Sequence, residues 1–393
     1  MTIPLIIALC VLLLIAYGFE ITSARSKIPS VILLLLTGWL VRLAVIQYEL
    51  SIPNLNPLLP IFGTLGLILI VLEGSLELEI RRSKLPFIRK SALIALLPMV
   101  LMSLGLGYAF HYFGGVAFRY GLANAIPLAI ISSAIAIPSA SNLVPRNREF
   151  VTYESSLSDI FGVILFNFIT LNDDFDVHSV GGFLAEMLII LSVTFGATLL
   201  LAYLLSKINH HVKYVPIILM ILLVYAVAKF YHLPALIFIL LFGIFLGNLD
   251  ELKQFKFIQR LKPDILNTEV LRLKDLTTEI AFLIRALFFL LFGFLIDTTE
   301  LLNIQTFGWA ISITVAIFGL RYCFLKLFDL PLKPLLYIAP RGLITILLFL
   351  SVPLTQKVEV ANKSLVIQVI VLTAFVMMIG LLTNKPQVNE KAW

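Results

Sequence analysis

The sequence predicts an all-α polytopic membrane protein with 13 transmembrane helices, and three observations carry that expectation. Of the 393 residues, 60% are hydrophobic and only 13% charged, against roughly 45–50% and 25% in soluble chains. Thirteen stretches are apolar over the length of about 20 residues that a bilayer-crossing helix needs. Two of them, the fifth and the twelfth, are interrupted by prolines in corresponding places. Length alone would suggest two or three soluble domains, but the composition overrides it. Soluble enzymes, nucleic-acid binders and disordered scaffolds are set aside, because a water-soluble globule of this size must cover itself with charge.

Taken in order, the first span covers about 2–19. Met1-Thr2-Ile3-Pro4 runs into it with no basic segment, so it is expected to remain a membrane helix rather than a cleaved signal. Spans at about 28–47, 57–76, 91–113, 120–144 and 151–171 follow, and a seventh lies near 181–206. The remaining six lie near 213–231, 233–248, 278–298, 304–327, 331–353 and 361–383. Residues 249–276 are polar with two apolar stripes, which suits a cytoplasmic linker with a helix on the membrane surface. About ten residues follow the last span, so no soluble regulatory domain is expected. Cys10 and Cys323 sit in apolar stretches, without disulfide or metal spacing.

The basic residues test the span count. With the N-terminus outside, 21 of the 29 Lys and Arg fall in inner loops or the tail, and four (Arg119, Lys229, Lys357, Lys363) fall outside. That bias predicts an outside N-terminus, a cytoplasmic C-terminus and a multi-pass chain in the cell (inner) membrane. The acidic run Asp173-Asp174-Phe175-Asp176 then lies outside. The net charge of +6 is placed by topology, so no nucleic-acid partner is expected.

The fifth span carries Pro127 and Pro138 beside Ser132, Ser133, Ser139, Ser141 and Asn142; the twelfth carries Pro331, Pro334 and Pro340 before Arg341-Gly342. Proline removes an amide donor and clashes one turn back, so each span should unwind. Unwound backbone survives at membrane depth only where protein or a watery cavity satisfies it. The two breaks are seven spans apart, and an odd offset makes the second copy enter from the opposite side. Two inverted six-helix repeats with broken crossing helices, joined by a seventh helix, describe a secondary transporter with its site between the breaks.

Charges sharpen that site. Glu73, Glu154, Asp159, Arg285, Arg321 and Arg341 lie within spans, where a central charge costs about 2.5–3.5 kcal/mol on insertion scales. They should be paired or line a pathway. Asp159 and Ser155 share a helix face, with Ser158 adjacent, and carbonyls bared near Ala136 by the break would complete an oxygen site. Such a site suits a proton or a hard monovalent cation rather than a transition metal. Glu154 is expected in a structural pair with Arg321, or alternatively with Arg341; Arg341 and Arg285 are candidates for pairing or site support. The run Phe288-Phe289-Leu290-Leu291-Phe292 reads as packing or lipid-facing surface.

Four segments resemble the monovalent cation/proton antiporters, in particular the NhaP-like sodium/proton exchangers. Leu72-Glu73-Gly74-Ser75-Leu76-Glu77-Leu78 is similar to the family's F-E-G-G-L-E-L, and Glu154-Ser155-Ser156-Leu157-Ser158-Asp159 to its E-S-x-x-N-D motif. Phe288-Phe289-Leu290-Leu291-Phe292-Gly293 resembles its F-F-x-x-x-G run, and Pro340-Arg341-Gly342-Leu343 its G-P-R-G-L motif with Ala339 in place of glycine. The resemblance implies a homodimer with elevator-type alternating access. Residues 91–171 and 303–383 would form the transport core, 1–78 and 213–299 the scaffold and dimer contact, and 181–206 the linking helix. It further implies that Asp159 alternately binds cation and proton, that Ser155 and Glu73 help coordinate Na+ or K+, and that Glu154 pairs with Arg321. The chain departs from the family where T-D-P becomes Ala136-Ile137-Pro138 and where Ser158 replaces the asparagine of N-D.

The function expected from sequence is antiport of a monovalent cation, sodium first and potassium second, against protons. It is expected to be electroneutral and to need no cofactor beyond the transported ions. A sodium-coupled organic-solute carrier on the same scaffold and a non-transporting sensor are the alternatives. An enzyme is not expected, since no intramembrane histidine or facing aspartate pair accompanies the serines and Asp159.

Overall fold

The computed structural model describes residues 2–26, 28–49, 52–78, 82–172, 177–207, 214–231, 233, 235–252 and 263–383. The acidic run 173–176, His210, His211, His232, residues 253–262 of the expected linker and the C-terminal tail lie outside the described residues. The described chain is all-helical, with no strand.

The helices follow the apolar stretches in order: α1 (Thr2–Ser26), α2 (Ser30–Gln47), α3 (Leu58–Glu77) and α4 (Leu85–Gly114). The fifth stretch is divided into α5 (Phe118–Ala129) and α6 (Ser133–Ser139). Next come α7 (Pro145–Leu171), α8 (Val177–Lys207), α9 (Tyr214–Phe230), α10 (Leu236–Gly247) and α11 (Pro263–Phe294). The chain then forms α12 (Ile304–Leu327), α13 (Leu343–Ser351) and α14 (Lys363–Thr383). Proline opens α7 and α11, where its missing amide costs nothing and its φ is already helical.

Among the described residues ten segments, α5 with α6 counted as one, are long and apolar enough to cross a membrane, and the chain is a multi-pass membrane protein. The three other expected spans hold shorter pieces: α9, α10, and a twelfth stretch reduced to a 3-10 turn at Leu335–Tyr337 followed by α13. The described residues thus hold ten long apolar segments and shorter helical pieces in the three other expected spans. Residues 263–276, expected as part of a linker with a helix, form the first turns of α11, which runs unbroken for 32 residues. No proline or glycine interrupts it between Pro263 and Gly293, so nothing stops the helix where the polar segment meets the apolar one.

The residues gather into two compact units. One comprises 1–64, 90–162 and 283–393; the other comprises 65–89 and 163–282. In the first, α2 and α11 approach so closely that a Cβ on Gly293 would lie 2.3 Å from the Leu35 carbonyl oxygen, and one on Gly38 2.2 Å from that of Leu290. Small residues allow this contact, which in lipid must come from packing rather than from water exclusion. The same unit holds α5, α6, α7 as far as Gly162, α12, α13 and α14, and with them both helix breaks. In the second unit, α10 packs on α3, with Gly243 against Ser75 and Gly247 against the Leu76 backbone. Asn248 ties the end of α10 to the Leu78 carbonyl at 2.7 Å.

Candidate functional site

The first break falls between the two prolines, ahead of Pro138. Ile130 and Ser132 are extended, and α6 begins at Ser133, so Pro138 lies inside α6 rather than at the interruption. The Ala136 carbonyl is therefore not bared: it accepts the Ala140 amide at 3.0 Å. Pro138 instead frees the carbonyl of Ala134, one turn back, by lacking the amide that would reach it.

Interrupting a helix orphans amides and carbonyls that must find partners when buried. The Ile131 amide donates to Ser158 Oγ at 3.0 Å, and the Ser132 amide donates to the Pro340 carbonyl at 2.9 Å. Ser133 donates to Asp159 Oδ2 through its hydroxyl, with a longer approach of its amide at 3.4 Å. On the carbonyl side, Leu128 and Ala129 accept from Nε and Nη2 of Arg341 at 2.9 and 3.0 Å. The break in one stretch is thus closed by α7 and by the break in the other.

The second break is stitched in the same way. The Arg341 amide donates to Thr373 Oγ1 of α14 at 3.1 Å, and the Gly342 amide approaches Thr345 Oγ1 at 3.4 Å. Gly342 allows a close approach by side chains of the first break and α6. A Cβ there would meet Ile135 Cδ1 at 2.6 Å and Ser132 Oγ at 2.9 Å, so α6 rests directly on this backbone.

Asp159 sits on α7 beside this crossing with 2% of its surface exposed. Ser133 holds Oδ2, while Oδ1 is buried with no hydrogen-bond partner. An unsatisfied buried carboxylate oxygen is costly, and a proton or a cation relieves the cost. Ser155, also buried, donates to the Val151 carbonyl at 2.7 Å and keeps oxygen lone pairs for another partner. Ser158, expected as a ligand, accepts the Ile131 amide of the broken backbone and keeps a second lone pair.

Glu154 and Arg321 meet in a two-pronged pair, Nη1 to Oε1 at 2.5 Å and Nη2 to Oε2 at 2.8 Å, with Arg321 Nε donating to the Leu335 carbonyl at 2.7 Å. Arg341 is not the partner of Glu154; its third bond, from Nη1, goes to the Ala339 carbonyl at 2.8 Å. Arg285 supports neither site nor pair there. It is bonded to Glu20 at 3.2 Å, whose other oxygen accepts from Ser30 at 2.6 Å. Glu73 is half-buried on α3 within the second unit.

Sequence reasoning left out Ser133, Thr373 and Glu20 as partners. Ser132-Ser133 between two apolar runs is a helix-start pattern, which would have placed the break there. Glu20 gave no such signal, being a lone acid at the end of an apolar stretch. Among the described residues no group of three His, Cys, Asp or Glu could hold a metal ion. The arrangement is one carboxylate with hydroxyls and crossed backbone, buried in an apolar bundle.

The family model for the transmembrane sodium/hydrogen exchanger matches residues 8–385, nearly the whole chain. The chain belongs to the sodium/hydrogen exchanger family. No curated protein matches this sequence. Its fold is shared with the sodium proton antiporter MjNhaP1 from Methanocaldococcus jannaschii. One structure of that protein, at pH 8, aligns with a TM-score of 0.61 at 19% identity, covering 96% of this chain and 95% of the other. A second, from an electron-microscopy map, aligns with a TM-score of 0.67 at 18% identity, covering 97% and 95%. The family is one of transporters, and the exchanger's crossed breaks lie within the matched region.

Proposed function

We propose that the exchanger carries out antiport of a monovalent cation against protons, with Asp159 holding either ion in turn. The observation that carries this reading is the carboxylate itself: buried, held through one oxygen by Ser133, and with Oδ1 unpartnered beside the crossed breaks. Ser155 supplies a further oxygen from the same helix face. Sodium is the first candidate, as the family and the MjNhaP1 likeness suggest, and potassium the second. Glu73 is a candidate further ligand on the resemblance of its segment.

The mechanism is competition at one site. A cation binds the ionised carboxylate, a proton displaces it, and the neutralised bundle crosses more cheaply than the charged one. We read the cycle as electroneutral, one proton for one cation, because the E-S-x-x-x-D segment offers one aspartate with Ser158 beside it. We also read it as elevator-type and carried by a homodimer, with the N-terminus outside and the C-terminus cytoplasmic. The test is a proteoliposome assay with a trapped pH-sensitive dye, adding sodium, potassium and lithium in turn. Proton release driven by at least one of them is expected; a flat response to all three would sink the proposal.

A further inference from the structure

The two arginines at the breaks share a feature that antiport at Asp159 does not use. Arg321 and Arg341 both line a cavity of about 30 Å³ in the first unit, larger than the roughly 10–15 Å³ that one water requires. Its other walls are Ile94, Ala95, Met99, Ile131, Ile317 and similar apolar groups, and no carboxylate lines it. A guanidinium has five N–H donors. Arg321 spends three, on Leu335 and Glu154, and Arg341 spends three, on Leu128, Ala129 and Ala339. Two donors on each remain outside these bonds, on side chains that are almost wholly buried.

Charge decides what such a space should hold. Arg321 is balanced by Glu154, but Arg341 is bonded only to neutral carbonyls, and among the described residues it has no ion-pair partner. A cavity with low-dielectric walls and charge of one sign focuses the opposite sign into it. Its apolar lining suits an ion that sheds water easily. We propose that this cavity binds a halide, with chloride as the ordinary occupant, held by the spare N–H groups of Arg321 and Arg341. It is a second ion site of opposite charge preference to Asp159.

The test reads binding, so its outcome is separate from that of the antiport assay. The purified full chain is heated in sodium gluconate, sodium chloride and sodium bromide at equal concentration and pH. Halide binding to the folded state alone should raise Tm by a few degrees over gluconate. General salt effects run the other way, since bromide is the less stabilising anion toward proteins that lack a site for it. Arg341→Gln should abolish the gain. Because that variant can fail to fold, Ala95→Leu serves beside it: it fills the cavity and leaves both arginines in place, and it too should lose the gain. Bromide-soaked crystals should show an anomalous peak between the two guanidinium groups. Equal Tm in gluconate and bromide for the native chain would mean the cavity holds only water, and a gain that survives Ala95→Leu would place the halide elsewhere; either result overturns the proposal.

Discussion

On Asp159, burial, a single bound oxygen and an unpartnered one coincide. Asp159→Asn should abolish cation-driven proton flux in proteoliposomes while the purified variant keeps the native Tm and oligomeric state; near-native flux would remove Asp159 from the mechanism. Ser133→Ala tests how the carboxylate is held. It removes a hydrogen bond to a charged group, worth about 1.5–3 kcal/mol. The concentration of cation at half-maximal flux should therefore shift by an order of magnitude or more, and Tm should fall by a few degrees. Glu154 and Arg321 differ in kind, since each already has its partner. Breaking a buried pair on one side costs about 3–5 kcal/mol. Glu154→Gln and Arg321→Ala should each lower Tm, and the double variant should lose much less than the two losses combined. Strict additivity would show that the pair does not act as one.

At the scale of elements, the crossing depends on close approach. The Ser132 amide bonds the Pro340 carbonyl directly, and Gly342 lets α6 lie on the second break. The α2–α11 contact is of the same type. Gly293→Ala would push a methyl group toward the Leu35 backbone, which has no flexible end to swing away. We expect a loss of about 1–3 kcal/mol, as for other overpacked contacts, read as a lower Tm without a change in cation preference. An unchanged Tm would mean that α2 and α11 separate at little cost. Why the break sits at 130–132 also belongs to this scale. Prolines at 127 and 138 both fit within helices, and the interruption falls between them, where Ser158, Pro340 and Asp159 can take the orphaned amides.

At the scale of the whole molecule, the single aspartate predicts transport that ignores the membrane potential. An extra charge per cycle would couple to it by about 2.3 kcal/mol per 100 mV. Exchange at matched gradients should keep its rate when a potassium–valinomycin potential is imposed on vesicles driven by sodium. A rate that changes steeply or reverses with the potential would make the cycle electrogenic and bring in a second titrating group, with Glu73 the first to examine.

Composition and periodicity were enough for the class of this protein. An apolar chain poor in charge must satisfy its backbone within helices, and those constraints are local, so they are written in consecutive residues. The acid and serine spacing on α7 was legible for the same reason, one helix face being read from three or four positions. The partners were legible only in part: Glu154 with Arg321 is the first expectation, with Arg341 as the alternative, and the pair forms. Arg321 rather than Arg341 beside Glu154, Arg285 on Glu20, and the closing of the first break by Arg341 and Ser158 join residues that are distant in sequence. Several donors of the right chemistry competed for each acid, and spacing along the chain does not rank them. Only the packing of α7, α12 and the two broken stretches did, by bringing one donor within reach and holding the others away.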